Sequence, residues 1–179
     1  MCIRDSFSLH VGVITADPAT VRPLLEGLAL LQDDPALSRL TVLVLENGGS
    51  ASLLHEAVGE ARKLGLQVDI IDQQQQRHDA AAGVFGSRFA DRPTGQVRIA
   101  QARSMLQRYL GVRLMSDPGS IGWVLDDDMR VDVRTRAYLP WLPLFRAQGT
   151  DVLLGAYEGS SPNPCLLYTS DAADDSACV

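Results

Sequence analysis

Between Cys2 and Cys165 the chain has no cysteine, and its third, Cys178, lies near the end of the 179 residues. No disulfide framework can be read from such a distribution, and a reducing compartment is the expectation. No apolar run is long enough to cross a bilayer, and the start lacks the basic-then-apolar pattern of a secretory signal. The covered part is therefore expected to be cytoplasmic, or peripheral to a membrane, with no membrane segment within it. No internal repeat is present. No G-x-G-x-x-G follows the first apolar run and no G-x-x-x-x-G-K occurs, which removes the signatures of dinucleotide and P-loop sites. A haloacid-dehalogenase-like phosphatase would carry its acidic pair after the first strand. Here the acids come late, and Arg130 stands where a Thr or Val is required.

What is there suits one globular domain. Hydrophobic residues make up 46% and charged residues 21%, which excludes disordered and collagen-like classes and allows a real core. The net charge is −6, of which Asp171, Asp174 and Asp175 carry half, so a general nucleic-acid binder is not expected. Residues 1–6 and 165–179 resemble translated adapter read-through and are set aside, as an expression scar would be. The fold is expected within 7–164, as a domain cut short at its C-terminal side.

The order of elements argues for an α/β fold. Leu9–Thr15 is a short β-branched run that reads as a buried strand. Thr20 can cap a helix whose Val21, Leu24, Leu25, Leu28 and Leu31 recur at helical spacing, while Asp17 suits a turn before Pro18. Leu40–Leu45 is continuously apolar, as a parallel strand covered on both faces should be. A helix from about Ala51 to Leu64, with Leu53, Leu54, Ala57, Val58 and Ala61 inward, and a strand at Val68–Ile71 follow. Residues 73–96 break the rhythm and read as a lid, binding loop or excursion, the glutamine run being solvated surface. A helix resumes over Val97–Leu110. Then come an acidic strand, a short helix at Trp141–Phe145 and another strand at Val152–Tyr157. Short β-α-β connections imply a mostly parallel sheet, with ligands gathering at the carboxyl ends of its strands.

The most informative stretch is Trp123-Val124-Leu125-Asp126-Asp127-Asp128, a core-like strand ending in three carboxylates. Adjacent acids repel, so water or a cation must offset them. On an extended segment Asp126 and Asp128 point to one side and can share magnesium or manganese, and Asp127 points to the other. A solvated acidic turn is the alternative.

Four pieces together resemble the GT-A fold of family 2 glycosyltransferases: Val13-Ile14-Thr15, Glu46-Asn47-Gly48-Gly49-Ser50, Ala102-Arg103-Ser104 and Leu125-Asp126-Asp127-Asp128. The resemblance spans Leu9 to Tyr157. It implies a Rossmann-like three-layer α/β/α domain with a mostly parallel central sheet, binding a nucleotide-diphospho-sugar of the UDP or GDP class with Mn2+ or Mg2+. Asp126 and Asp128 would hold the metal. Thr15, Glu46, Asn47, Asp127, Arg98 and Arg103 would line the donor site, with an arginine near the phosphates. Glu46-Asn47 replaces the two aspartates usual in the family, which leaves the base undetermined.

No catalytic base can be assigned. Glu158 is the only late acid before the suspect tail; His10 and His55 look structural or surface-bound, and His78 falls in the long loop. The base and the acceptor region are expected to lie downstream. A noncatalytic sugar-nucleotide- or partner-binding module is the alternative of a different class. A nucleotidyltransferase is the other, although the Gly-rich loop and basic residue it needs after the first strand are missing.

Overall fold

The computed structural model describes residues 6–86 and 96–153. Four strands form one all-parallel sheet in the order β3-β2-β1-β4: β1 at Phe7–Thr15, β2 at Leu37–Glu46, β3 at Gln67–Ile71 and β4 at Ile121–Asp126. Helices α1 (Pro18–Ala29), α2 (Ala51–Lys63), α3 (Gln73–Ala81), α4 (Ile99–Ser116) and α5 (Leu142–Ala147) accompany them. The α/β expectation holds, in a Rossmann-like arrangement with helices on both faces.

Side-chain alternation along β1 builds the two faces. Leu9, Val11 and Val13 pack with Val21, Leu24, Leu25 and Leu28 of α1 and with Leu54 and Val58 of α2. On the other face, Leu43 and Leu45 of β2 meet Ala102, Met105 and Leu106 of α4. The second layer lies close because Gly12 and Gly122 have no side chains: a Cβ on Gly12 would stand 3.2 Å from Leu106, and one on Gly122 would stand 3.0 Å from Leu114. Burying each of the α1 leucines contributes about 1.5–3 kcal/mol, so the apolar stripe holds this layer in place.

Several elements depart from the sequence reading. Asp17, not Thr20, caps α1, accepting from the Ala19 amide at 2.9 Å, with Pro18 as the first helical residue. Leu53 is exposed, so the buried side of α2 is Leu54, Ala57, Val58 and Ala61. The helix expected at Val97–Leu110 runs Ile99–Ser116. The expected short helix is α5, preceded by a 3-10 turn at Leu139–Trp141.

The largest departure is α3, which occupies the start of the supposed excursion and carries His78 on a helix rather than in a loop. Its Gln76 is fully buried: Nε2 donates to the Glu46 carbonyl at 2.7 Å and to the Ile71 carbonyl at 2.9 Å. The glutamine run is therefore not simply solvated surface. Of the expected strand at Val152–Tyr157, Val152 and Leu153 are exposed and not in a strand, and the rest lies outside the described residues. Glu158 and both terminal segments lie outside them too, apart from Ser6. Among the described residues no helix is long and apolar enough to cross a membrane.

His10 is buried at the opposite edge from the acids. Its Nδ1 lies 2.7 Å from the Thr41 hydroxyl and its Nε2 3.4 Å from the Asp117 carboxylate. The Thr41 contact ties β1 to β2, while the buried Nε2 has no hydrogen-bond partner among the described residues. The Ser8 hydroxyl, with His10 and Arg39 nearby, holds the Asp117 carboxyl below its ordinary range against a smaller opposing effect of burial. His55, on α2, is exposed.

Candidate functional site at the carboxyl edge of the sheet

The chain runs from β1 outward through β2 to β3, then returns through α4 to place β4 on the other side of β1. The strand order thus reverses at β1: the connection from β1 runs on the α1 face, the connection into β4 comes from the α4 face, and the chain after β4 returns to the α1 face through Val131 and Leu139. Such a reversal point is where open parallel sheets bind ligands. Register places the sequence-selected residues along this edge: Ile14 of β1 pairs with Asp126 of β4, and Thr15 pairs with Glu46 of β2.

The three aspartates have different surroundings. β4 ends at Asp126, and the Met129 amide donates to the Asp126 carbonyl at 3.1 Å, closing a turn over 126–129. The extended alternation that would set Asp126 and Asp128 on one side therefore stops at Asp126. Asp126 Oδ1 accepts from Arg103 Nη2 of α4 at 3.1 Å, in a half-exposed pair. Asp127 Oδ2 accepts from the Thr15 hydroxyl at 2.7 Å and lies 3.0 Å from the Thr20 hydroxyl. Asp128 is exposed, and its carbonyl accepts from Arg130 at 3.0 Å.

β4 is less enclosed than the sequence suggests. Leu125 is buried, Trp123 is half-buried, and Val124 is 47% exposed. Among the described residues β4 is one of the two edge strands, which accounts for its exposure.

Thr15 is 2% exposed, and its hydroxyl also accepts from the Asp17 amide at 3.2 Å. Thr20, in the first turn of α1, places its hydroxyl 2.7 Å from the Asp17 carbonyl as well as beside Asp127. Sequence reasoning missed Thr20 at this site. Its part is set by a carboxylate 107 residues away, and nothing local signals it.

Glu46 and Asn47 close the β2 end. The Glu46 carboxylate, 6% exposed, sits at the start of α3, 3.4 Å from the Gln73 amide, where the positive end of the helix favours an acid. Asn47 is spent on backbone: its Nδ2 donates to the Val97 carbonyl at 3.1 Å and its Oδ1 accepts from the Val97 amide at 3.0 Å. That clip fixes the residue before Arg98, which is exposed and stands at the N-cap position of α4 without a side-chain capping bond. The turn at Gly48-Gly49 needs glycine at its second position, where φ is +80° and a Cβ would meet the Ala16 carbonyl.

Chemically, the edge combines carboxylates, hydroxyls and two arginines with the amino ends of four helices, of which α1 and α3 are already capped by Asp17 and Asp72 and α2 and α4 carry no side-chain cap. Among the described residues no three His, Cys, Asp or Glu side chains group to hold a metal unaided. No family model, curated protein or solved structure matches the chain.

Proposed function

We propose that the chain is the donor-binding part of a metal-dependent glycosyltransferase of the GT-A kind, taking a nucleoside diphosphate sugar of the UDP or GDP class. The observation that carries this reading is the convergence of Thr15, Glu46 and Asp126 on the carboxyl edge, with the acid turn at the reversal between β1 and β4.

Transfer leaves a nucleoside diphosphate carrying more negative charge than in the donor, so positive groups must stand where that charge develops. Arg103 already pairs with Asp126 at the end of β4, and Arg98 stands at the start of the same helix. A half-exposed pair such as Arg103–Asp126 is worth only about 0–1 kcal/mol. Exchanging the carboxylate for a diphosphate therefore costs little and frees Asp126 for a cation. Asp128 and Asp126 would hold magnesium or manganese, which when bound supplies the charge neutralisation the leaving diphosphate needs. Thr15, buried and bonded to Asp127, would act by holding the acid turn, and Asn47 contributes by holding Val97 and hence Arg98.

Calorimetric titration of UDP and GDP into the full chain, each with and without manganese, tests this. Saturable binding that requires manganese and disappears in Asp126→Ala/Asp128→Ala is expected. A folded wild type that binds neither nucleotide would sink the donor reading and leave a noncatalytic partner-binding module.

A further inference from the structure

The α4 face of the sheet changes character toward the amino ends of its strands. Along β2 the positions on this face run from Leu45 and Leu43, packed against α4, to Thr41 and Arg39, and along β1 Gly12 gives way to His10 and Ser8. α4 changes at the same level, from Met105 and Leu106 to Arg113, Ser116 and Asp117. These polar positions line a cavity of about 370 Å³ that has no apolar residue on its walls among the described residues.

His10 is the part of this cavity that a merely solvated edge does not explain. It is 4% exposed, its Nδ1 lies 2.7 Å from the Thr41 hydroxyl, and its buried Nε2 has no hydrogen-bond partner among the described residues. Asp117 Oδ2 stands 3.4 Å from Nε2 without hydrogen-bond geometry. A ring lone pair facing that carboxylate would be repelled, so Nδ1 accepts from Thr41 and Nε2 carries a proton. A buried N–H without an acceptor is costly, and a ligand that supplies one recovers the loss.

Charge narrows the kind of ligand. Arg113 is balanced by Asp69 at 2.7 Å. Arg39 and Asp117 carry opposite charges on the same cavity, and no ion pair joins the two among the described residues, although the Arg39 charge is felt at Asp117. α4 also ends here, at Ser116, and the carbonyls of its last turn favour a positive group. A simple anion would meet Asp117 and that helix end, and a simple cation would meet the arginines. A molecule carrying both charges satisfies both sides.

We propose that this cavity binds a free α-amino acid, its carboxylate taken by the His10 Nε2–H and Arg39 and its ammonium by Asp117. The two charged groups of such a molecule sit on one carbon, which suits a donor and an acceptor standing 3.4 Å apart. The polar walls, with Arg113 already balanced, favour an uncharged polar side chain. The site lies at the opposite end of the sheet from the donor reading and does not depend on it.

Nitrogen NMR spectra of the labelled full chain, read at the His10 ring and at the Arg39, Thr41 and Asp117 amides, test the assignment. The chain is titrated at neutral pH with L-serine and L-glutamine, and separately with lactate, which lacks the ammonium, with ethanolamine, which lacks the carboxylate, and with inorganic phosphate. Both amino acids should give saturable shifts at these positions, and the other three should bind at least tenfold more weakly. Arg39→Gln, at an exposed position, and Asp117→Asn should each weaken amino-acid binding about tenfold or more. Arg39→Gln decides alone if Asp117→Asn does not fold. No saturable shift with either amino acid overturns the proposal, as does lactate or phosphate binding equally well, which would make the cavity a plain anion site. Wild-type affinity in Arg39→Gln overturns it too.

Discussion

Asn47 and Val97, fifty positions apart in the chain, are joined in both directions: the side-chain amide donates to the Val97 carbonyl at 3.1 Å and accepts from its N–H at 3.0 Å. The pair works as one more rung between the end of β2 and the approach to α4. Where Arg98 begins its helix is thus decided by a residue on another strand.

Replacing Asn47 by Ala leaves two buried backbone groups of Val97 without partners. Each hydrogen bond contributes about 0.5–1.5 kcal/mol net, and an unsatisfied buried group costs about 1–3 kcal/mol. Urea denaturation should show a loss of about 2–4 kcal/mol, and amide exchange at Val97 should approach that of exposed positions.

Gln76 makes a sharper contrast within one run of four identical residues. Gln76→Leu keeps the volume but abandons the Glu46 and Ile71 carbonyls, and should cost about 1–3 kcal/mol. Gln74→Ala, at an exposed position of the same helix, should stay within about 0.5 kcal/mol of wild type. Equal effects on thermal unfolding at both positions would mean that α3 is not anchored through Gln76.

Arg103→Ala separates stability from binding. A half-exposed ion pair contributes at most about 1 kcal/mol, so the melting temperature should move little. Binding of UDP with manganese should weaken about tenfold or more, because a charge opposite the diphosphate is lost. A large stability loss with intact binding would reverse these assignments.

Asp117 sets an acid limit at the far edge. The Ser8 hydroxyl first, then His10 and Arg39, hold its carboxyl below the ordinary 3.8. A carboxyl depressed in the folded state adds stability above its unfolded value, and that stability is lost as pH falls through the folded value. Asp117→Asn should therefore be less stable than wild type at neutral pH. The gap should begin to close near pH 4 and vanish below the folded value, as pH-dependent denaturation curves will show.

Much of this fold is legible in the sequence because its signals are local. Continuous apolar runs mark β1 and β2, and Val21, Leu24, Leu25 and Leu28 mark α1 by their spacing. A parallel sheet brings strand ends together, so Thr15 and Asp126 could be selected as neighbours from their places at the ends of two runs. α3 escaped because it has almost no apolar stripe and is held by polar contacts from Gln76, Gln73 and Asp79 beside a single buried alanine, Ala80. Its start was nevertheless signalled by Asp72 three residues before Gln75, whose amide the aspartate accepts at 2.7 Å. Thr20, the partner of Asn47 and the pairing of Arg103 depend on residues far away in sequence. No spacing rule reaches them.

Paramagnetic broadening by manganese, recorded amide by amide with UDP present, tests the donor-site assignment most directly. Broadening is expected at 15–20, 97–103 and 126–129, and it should disappear in Asp126→Ala/Asp128→Ala. Broadening centred elsewhere, for instance around His10 and Asp117 at the opposite edge, or none at saturating nucleotide, would contradict the assignment of the donor and metal to the carboxyl ends of β1 and β4.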